Sequence, residues 1–181
     1  LRTMFDAQED RADAAVQAEW LALQATLLNA QEKPLESLAL AHRALQMSPE
    51  QDQYVRGLIY LGLADAYQLL DDHVHAVDAF QRMVHHGRAA ANFIIELLGL
   101  TGLSALALRH GQLRLAFEMA RRGSRWVERS GSLPPISAAL YGVLGQVHYQ
   151  RNQLQEAHRF YQRAVQVGRL SDYNDVETVY A

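Results

Sequence analysis

The chain has 181 residues, a formal net charge of −3 and no cysteine, enough for one sizeable domain or one repeat array. Apolar residues make up 49% and charged residues 20%, the balance of an ordinary soluble globular protein; the charge gives no bias toward nucleic acid, and without cysteine there is neither a disulfide framework nor a thiolate metal site. No apolar run approaches the ~20 residues of a membrane span, and the opening "LRTMFDAQED" has no apolar signal core, so a cytoplasmic protein is expected.

In chain order, everything between the breaks fits a 3.6-residue period, and no stretch alternates with period two between turn residues. Helices are predicted at 10–31, 34–47, 50–70, 73–87, 92–110, 112–130, 135–151 and 153–169, with a ninth beginning near Tyr173. Pro34 and Pro49 each open such a segment, and Ser48 is placed to cap the helix after it. Gly111 separates the fifth and sixth segments. "GSLPP" (131–135) is the strongest break, and a helix is expected to start at or just after Pro135. The chain begins without an initiator Met and ends abruptly, which is the expectation for a piece of a longer protein.

Short turns between helices predict antiparallel hairpins, and the hairpins repeat. Residues 61–83, 101–123 and 141–164 align. Ala64, Ser104 and Gly145 share one small position in the first helix. Ala76, Ala116 and Ala157 share a second, in the following helix, and Phe80, Ala120 and Tyr161 follow four residues later. An earlier unit fits more loosely through Ala25, Ser37, Ala41, Ala44 and Pro49. Where two helices cross closely only a small side chain fits, so alanine recurs at the crossing. The aromatic one turn on is expected to fill the gap toward the next hairpin.

These positions carry a resemblance to the tetratricopeptide repeat. Ala76, Ala116 and Ala157 lie 40 and 41 residues apart, longer than the ~34 of the standard repeat. The extra residues are expected between hairpins, around "HHGRAAAN" and "RSGSLPP". Units this long resemble the repeat region of MalT-like, LuxR-family transcriptional regulators, with "LPPISAALYGVLGQVHYQRNQLQEAHRFYQRAVQVGRLSD" the best match. The resemblance implies an all-α, right-handed superhelical solenoid of antiparallel hairpins, about 40 residues per unit. Its units fall at 10–49, 50–89, 92–131 and 135–170, with a fifth starting at 172–181. It also implies a sensing or partner-binding role, between a nucleotide-binding switch module and a DNA-binding module. Neither is visible here: no GxxxxGK[ST] occurs, and no segment remains for a helix-turn-helix.

Candidate chemistry is sparse. His73 and His75 with Asp71 and Asp72 could offer metal ligands on a turn, but a site needs three or four converging ligands, and acidic residues suit a helix start anyway. His85 and His86 are expected to mark a helix terminus. No GxSxG, cysteine nucleophile or zinc spacing occurs, so neither enzyme activity nor a cofactor is expected. Arg114, Arg121 and Arg125 can share a face beside Trp126, but Glu118 and Glu128 interleave. A solvated face, with Glu118 paired to Arg122, is preferred to a nucleic-acid surface.

The concave surface is the stronger functional candidate, because the first helix of each stacked hairpin lines it. Counting from the small position, the groove-facing residues are Asp65 and Gln68, then Ala105, Leu108 and Arg109, then Gln146, Tyr149 and Gln150. An acid, a base, an aromatic and three amides suit a protein or peptide partner, or a small-molecule inducer. A solvated inner wall is the plainer alternative. Self-association through uncapped array ends is also expected.

Overall fold

The computed structural model describes residues 2–170. They form eight helices and no strand. These are α1 (Arg2–Ala30), α2 (Pro34–Met47), α3 (Gln53–Leu69), α4 (His73–Ala89), α5 (Phe93–Arg109), α6 (Leu113–Ser130), α7 (Ser137–Gln150) and α8 (Leu154–Leu170). Every expected helix is present, and the ninth lies outside the described residues. No helix among those described is long and apolar enough to cross a membrane. Residues up to Gly99 form one compact unit and those from Leu100 a second, the division falling inside α5.

One turn recurs at five places. At Glu32, Asp71, Ala91, Gly111 and Asn152 the backbone takes a positive φ of 51–69°. At each, that residue's N–H bonds the carbonyl three back, and the next N–H bonds the carbonyl five before it, as in Asp71 to Gln68 and Asp72 to Tyr67. This left-handed stop satisfies the last carbonyls of one helix. The residue after it starts the next helix. Asp72 and Asn92 do so with side-chain caps, their Oδ1 accepting from the N–H groups of His75 and Ile95 at 3.2 Å.

Two expectations about the breaks change. Pro49 and Ser48 do not open α3: the N–H of Ser48 closes α2 on the carbonyl of Ala44, and Asp52 caps α3 through Val55. The extra residues around "HHGRAAAN" are not loop either. They lengthen α4 to Ala89, and the same tight turn at Ala91 leads directly into α5. "RSGSLPP" does contain a true connection. Gly131 ends α6 at φ 66°, and Ser137 starts α7 after i→i+3 bonds from Ser137, Ala138 and Ala139 to Pro134, Pro135 and Ile136.

In the first unit α1 packs on α2 and α3, and α3 on α4. Ala22, Ala25, Ala41, Ala44, Ala64 and Ala76 are fully buried at the crossings, with Ile59 and Met83 filling between them. Burying side chains of that size is worth roughly 1.5–3 kcal/mol each. Helix α4 lies so near the start of α5 that a Cβ on Gly87 would stand 2.5 Å from the backbone nitrogen of Glu96. In the second unit α7 packs on α6 and α8, around Leu140, Leu144, Val147, Ala116, Ala120, Ala157 and Ala164, all at most 2% exposed. Tyr161 packs within its own hairpin, where a Cβ on Gly145 would stand 2.7 Å from its ring. The next hairpin, toward which it was expected to reach, lies outside the described residues. The small residue at 145 and the aromatic at 161 are complementary parts of one crossing.

Candidate functional site

The candidate groove residues lie on the first helices, at fixed offsets from the small core position. In the first unit Ala64 and Ala66 are fully buried on α3, and Asp65 is carried between them, half-buried, with Gln68 half-buried further along. Burial pushes the Asp65 carboxyl up from 3.8 to about 6. Among the described residues no cation or hydrogen-bond donor faces that carboxyl. It is the single acid of the candidate set, and a carboxyl shifted by burial in this way is a functional-site candidate.

In the second unit Gln146, Tyr149 and Gln150 lie on α7 and Arg109 in the last turn of α5. Arg109 and Gln150 are exposed, and Tyr149 is 57% exposed. Gln146 is half-buried and already engaged: the Tyr161 hydroxyl donates to its Oε1 at 2.6 Å. Burial first, then the neighbouring Tyr149, raises the pKa of that hydroxyl. Gln146 thus belongs partly to the hairpin's own packing, while Tyr149 and Gln150 present themselves to solvent.

The other histidines and arginines sort into local contacts. Asp72 caps α4 and its Oδ2 lies 2.7 Å from His75 Nδ1, while the His75 ring stacks on Tyr67 at 5.1 Å. The backbone and side-chain bonds from His75 hold the Asp72 carboxyl below its usual range. These contacts fit a helix start. Glu118 pairs with Arg114 at 3.0 Å, rather than with the expected Arg122. His86 is not merely a helix end. It stacks on Tyr60 at 5.3 Å and its Nδ1–H donates to Gln53 Oε1 at 2.7 Å. Burial, then repulsion from His85, Arg56 and Arg82, lowers its pKa from 6.5 to about 4, so the ring is neutral at pH 7.

Sequence reasoning missed a matching assembly in the second unit. His148 stacks on Phe160 at 5.2 Å and meets Phe117 edge-on at 5.7 Å, while its Nδ1–H donates to Gln153 Oε1 at 2.7 Å. Arg151 covers the Phe117 ring at 5.2 Å. The signal available was helical spacing: His148 lies one turn after Gly145, and Phe117 and Phe160 each lie just past a crossing alanine or one turn on.

The family model of the MalT-like TPR region matches residues 18–178. No curated protein matches the chain. Among solved structures, the crystal structure of aspartyl phosphate phosphatase F from Bacillus subtilis aligns with a TM-score of 0.76 at 16% identity, over 92% of this chain and 45% of that one. At that identity the likeness is one of fold, an all-α arrangement of helical repeats. With the family match spanning most of its length, the chain belongs to the MalT-like TPR region family.

Proposed function

We propose that this chain is the ligand- or partner-sensing repeat region of a cytoplasmic transcriptional regulator. In this reading it binds rather than catalyses. Occupancy of its first-helix residues biases nucleotide-binding and DNA-binding modules carried elsewhere in the same protein. The observation that carries the reading is Asp65, a desolvated carboxyl with its pKa near 6 and no partner facing it among the described residues. A carboxyl so placed gains from a ligand's cation or hydrogen-bond donor, which would restore what burial removed. Gln68 accompanies Asp65 in the first unit, while Gln146, Tyr149, Gln150 and Arg109 are a separate polar and aromatic set in the second. Arg109 suits a carboxylate or phosphate, and Tyr149 a sugar or peptide side chain.

The test has two parts. The coding sequence on either side should contain a P-loop upstream and a helix-turn-helix downstream. In that longer protein, Asp65→Ala, Arg109→Ala and Tyr149→Ala should each weaken the response to inducer or partner while helical content is kept. A response unchanged in all three variants would move recognition elsewhere.

A plain interaction scaffold is the second reading. It is favoured by the exposed stripe of Val16, Trp20, Leu23 and Leu27 along one face of α1, 46–66% exposed. Flanks without either module would support it.

A further inference from the structure

Between α6 and α8 lies a cleft of about 490 Å³ that none of the candidate groove residues lines. That volume is the size of a small-molecule site. Arg121 and Glu128 come from α6, and Glu156, Arg159 and Arg163 from α8. Tyr141 and Phe160 supply aromatic surface. Tyr141 is 3% exposed. Phe160 is backed by the stacked His148 ring, itself held by Gln153. The floor is therefore fixed before any ligand arrives, which lowers the ordering cost of binding.

The guanidinium groups are only lightly committed. Arg121 Nη1 stands 3.6 Å from Glu128 Oε1, beyond hydrogen-bond reach, on side chains 36% and 49% exposed. Arg163 lies 5.9 Å over the Tyr141 ring and donates to the neutral Gln166 at 2.7 Å. Arg159 pairs with Glu156 at 2.9 Å on the exposed edge, a pair of the weak surface kind. Three cations against two carboxylates leave an excess of positive charge above an aromatic floor. The two acids rule out a track for a long polyanion, which would meet them at each step. The outer face of α8 itself, around His158, Gln162 and Gln166, is lined by that helix alone and is too open to enclose a ligand.

We infer that this cleft binds a small organic anion. Its phosphate or carboxylate is met by Arg121 and Arg163, and its body rests on Tyr141 and Phe160. A guanidinium donates two parallel hydrogen bonds to such a group, and the aromatic floor takes a carbon skeleton that inorganic phosphate lacks. The proposal shares no residue with the candidate groove: its charged groups all lie on second helices, and Tyr141 alone comes from α7.

The experiment is titration calorimetry on the 181-residue chain, with inorganic phosphate, glucose 6-phosphate and citrate as probes at low salt. Glucose 6-phosphate or citrate should bind with a submillimolar Kd, at least about tenfold tighter than inorganic phosphate, and the better of the two identifies the preferred group. Arg121→Gln and Arg163→Gln should each weaken that binding about tenfold or more, whereas Arg114→Gln, at an exposed pair on the same helix, should leave it unchanged. Should Arg163→Gln fail to fold, Arg121→Gln decides alone, since Arg121 makes no hydrogen bond to Glu128 that folding would miss. Organic anions that bind no tighter than phosphate, equal affinity in Arg121→Gln, or loss of binding in Arg114→Gln would each overturn the assignment.

Discussion

Replacing Asp65 with Asn keeps the shape of the side chain and removes a charge that burial disfavours. The carboxyl shifts from 3.8 to about 6, and one unit corresponds to ~1.4 kcal/mol, so the penalty of ionising it in the folded state is at most about 3 kcal/mol. Partial exposure of the side chain reduces this, and about 1–2 kcal/mol is expected at pH 7. The sign follows from proton binding. Between pH 4 and 6 the folded chain holds this proton more tightly than the unfolded chain, so the contribution of Asp65 to stability falls as pH rises through that window. Urea unfolding of Asp65→Asn should therefore show a gain at pH 7 that shrinks toward zero near pH 4. A variant equally stable as the parent at pH 7, or a difference that does not vary with pH, would mean that the carboxyl is solvated or paired. The functional argument built on it would then fail.

His86 slopes the other way. Its folded pKa of about 4 lies below the ordinary 6.5, so its contribution is fully present above pH 6.5 and is lost as pH falls toward 4. His86→Gln should remove that acid-side loss, and the same urea series run on it checks the direction. Ala91→Gly should raise stability by about 0.5–1 kcal/mol, because alanine is strained at φ 51° by more than glycine's extra freedom in the unfolded chain costs. Thermal melting reads it, and a lower melting temperature would contradict the turn geometry. Ala157→Leu, at a site 2% exposed where α8 crosses α7, should cost about 1–3 kcal/mol by overpacking. A neutral melt there would undo the crossing assignment.

The small positions were the most legible part of the sequence, because a close crossing imposes a size limit that only a few residues meet. Ala76, Ala116 and Ala157 declare it, and all three are buried. Helix ends were less legible where one residue could serve two neighbours. Ser48 looks like a cap for α3, yet its N–H is taken by the end of α2. Turns were hidden for a related reason. Only one of the five left-handed stops carries glycine, the others being Glu32, Asp71, Ala91 and Asn152, so the usual marker is missing at most of them. The offset from the small position singled out Asp65 on α3, but it could not give the pKa, which depends on the burial that packing produces. The α6/α8 cleft was illegible because its residues come from two helices whose facing is a tertiary fact; the arginines alone read as a solvated stripe.

The repeated two-residue stop has a consequence for how such a chain can change over time. A turn this short leaves no slack: its dihedrals set where the second helix begins and how it is rotated, so an inserted residue would carry its entire apolar face away from its neighbour. The connections at Ser48–Asp52 and Gly131–Ile136 are different, since the first passes through Pro49 and the second runs without regular structure from Gly131 to Pro134 before its turn. Length variation among descendants of this sequence, tags spliced in by an experimenter, and the first cuts made by a protease should all collect at those two segments and avoid the five tight stops.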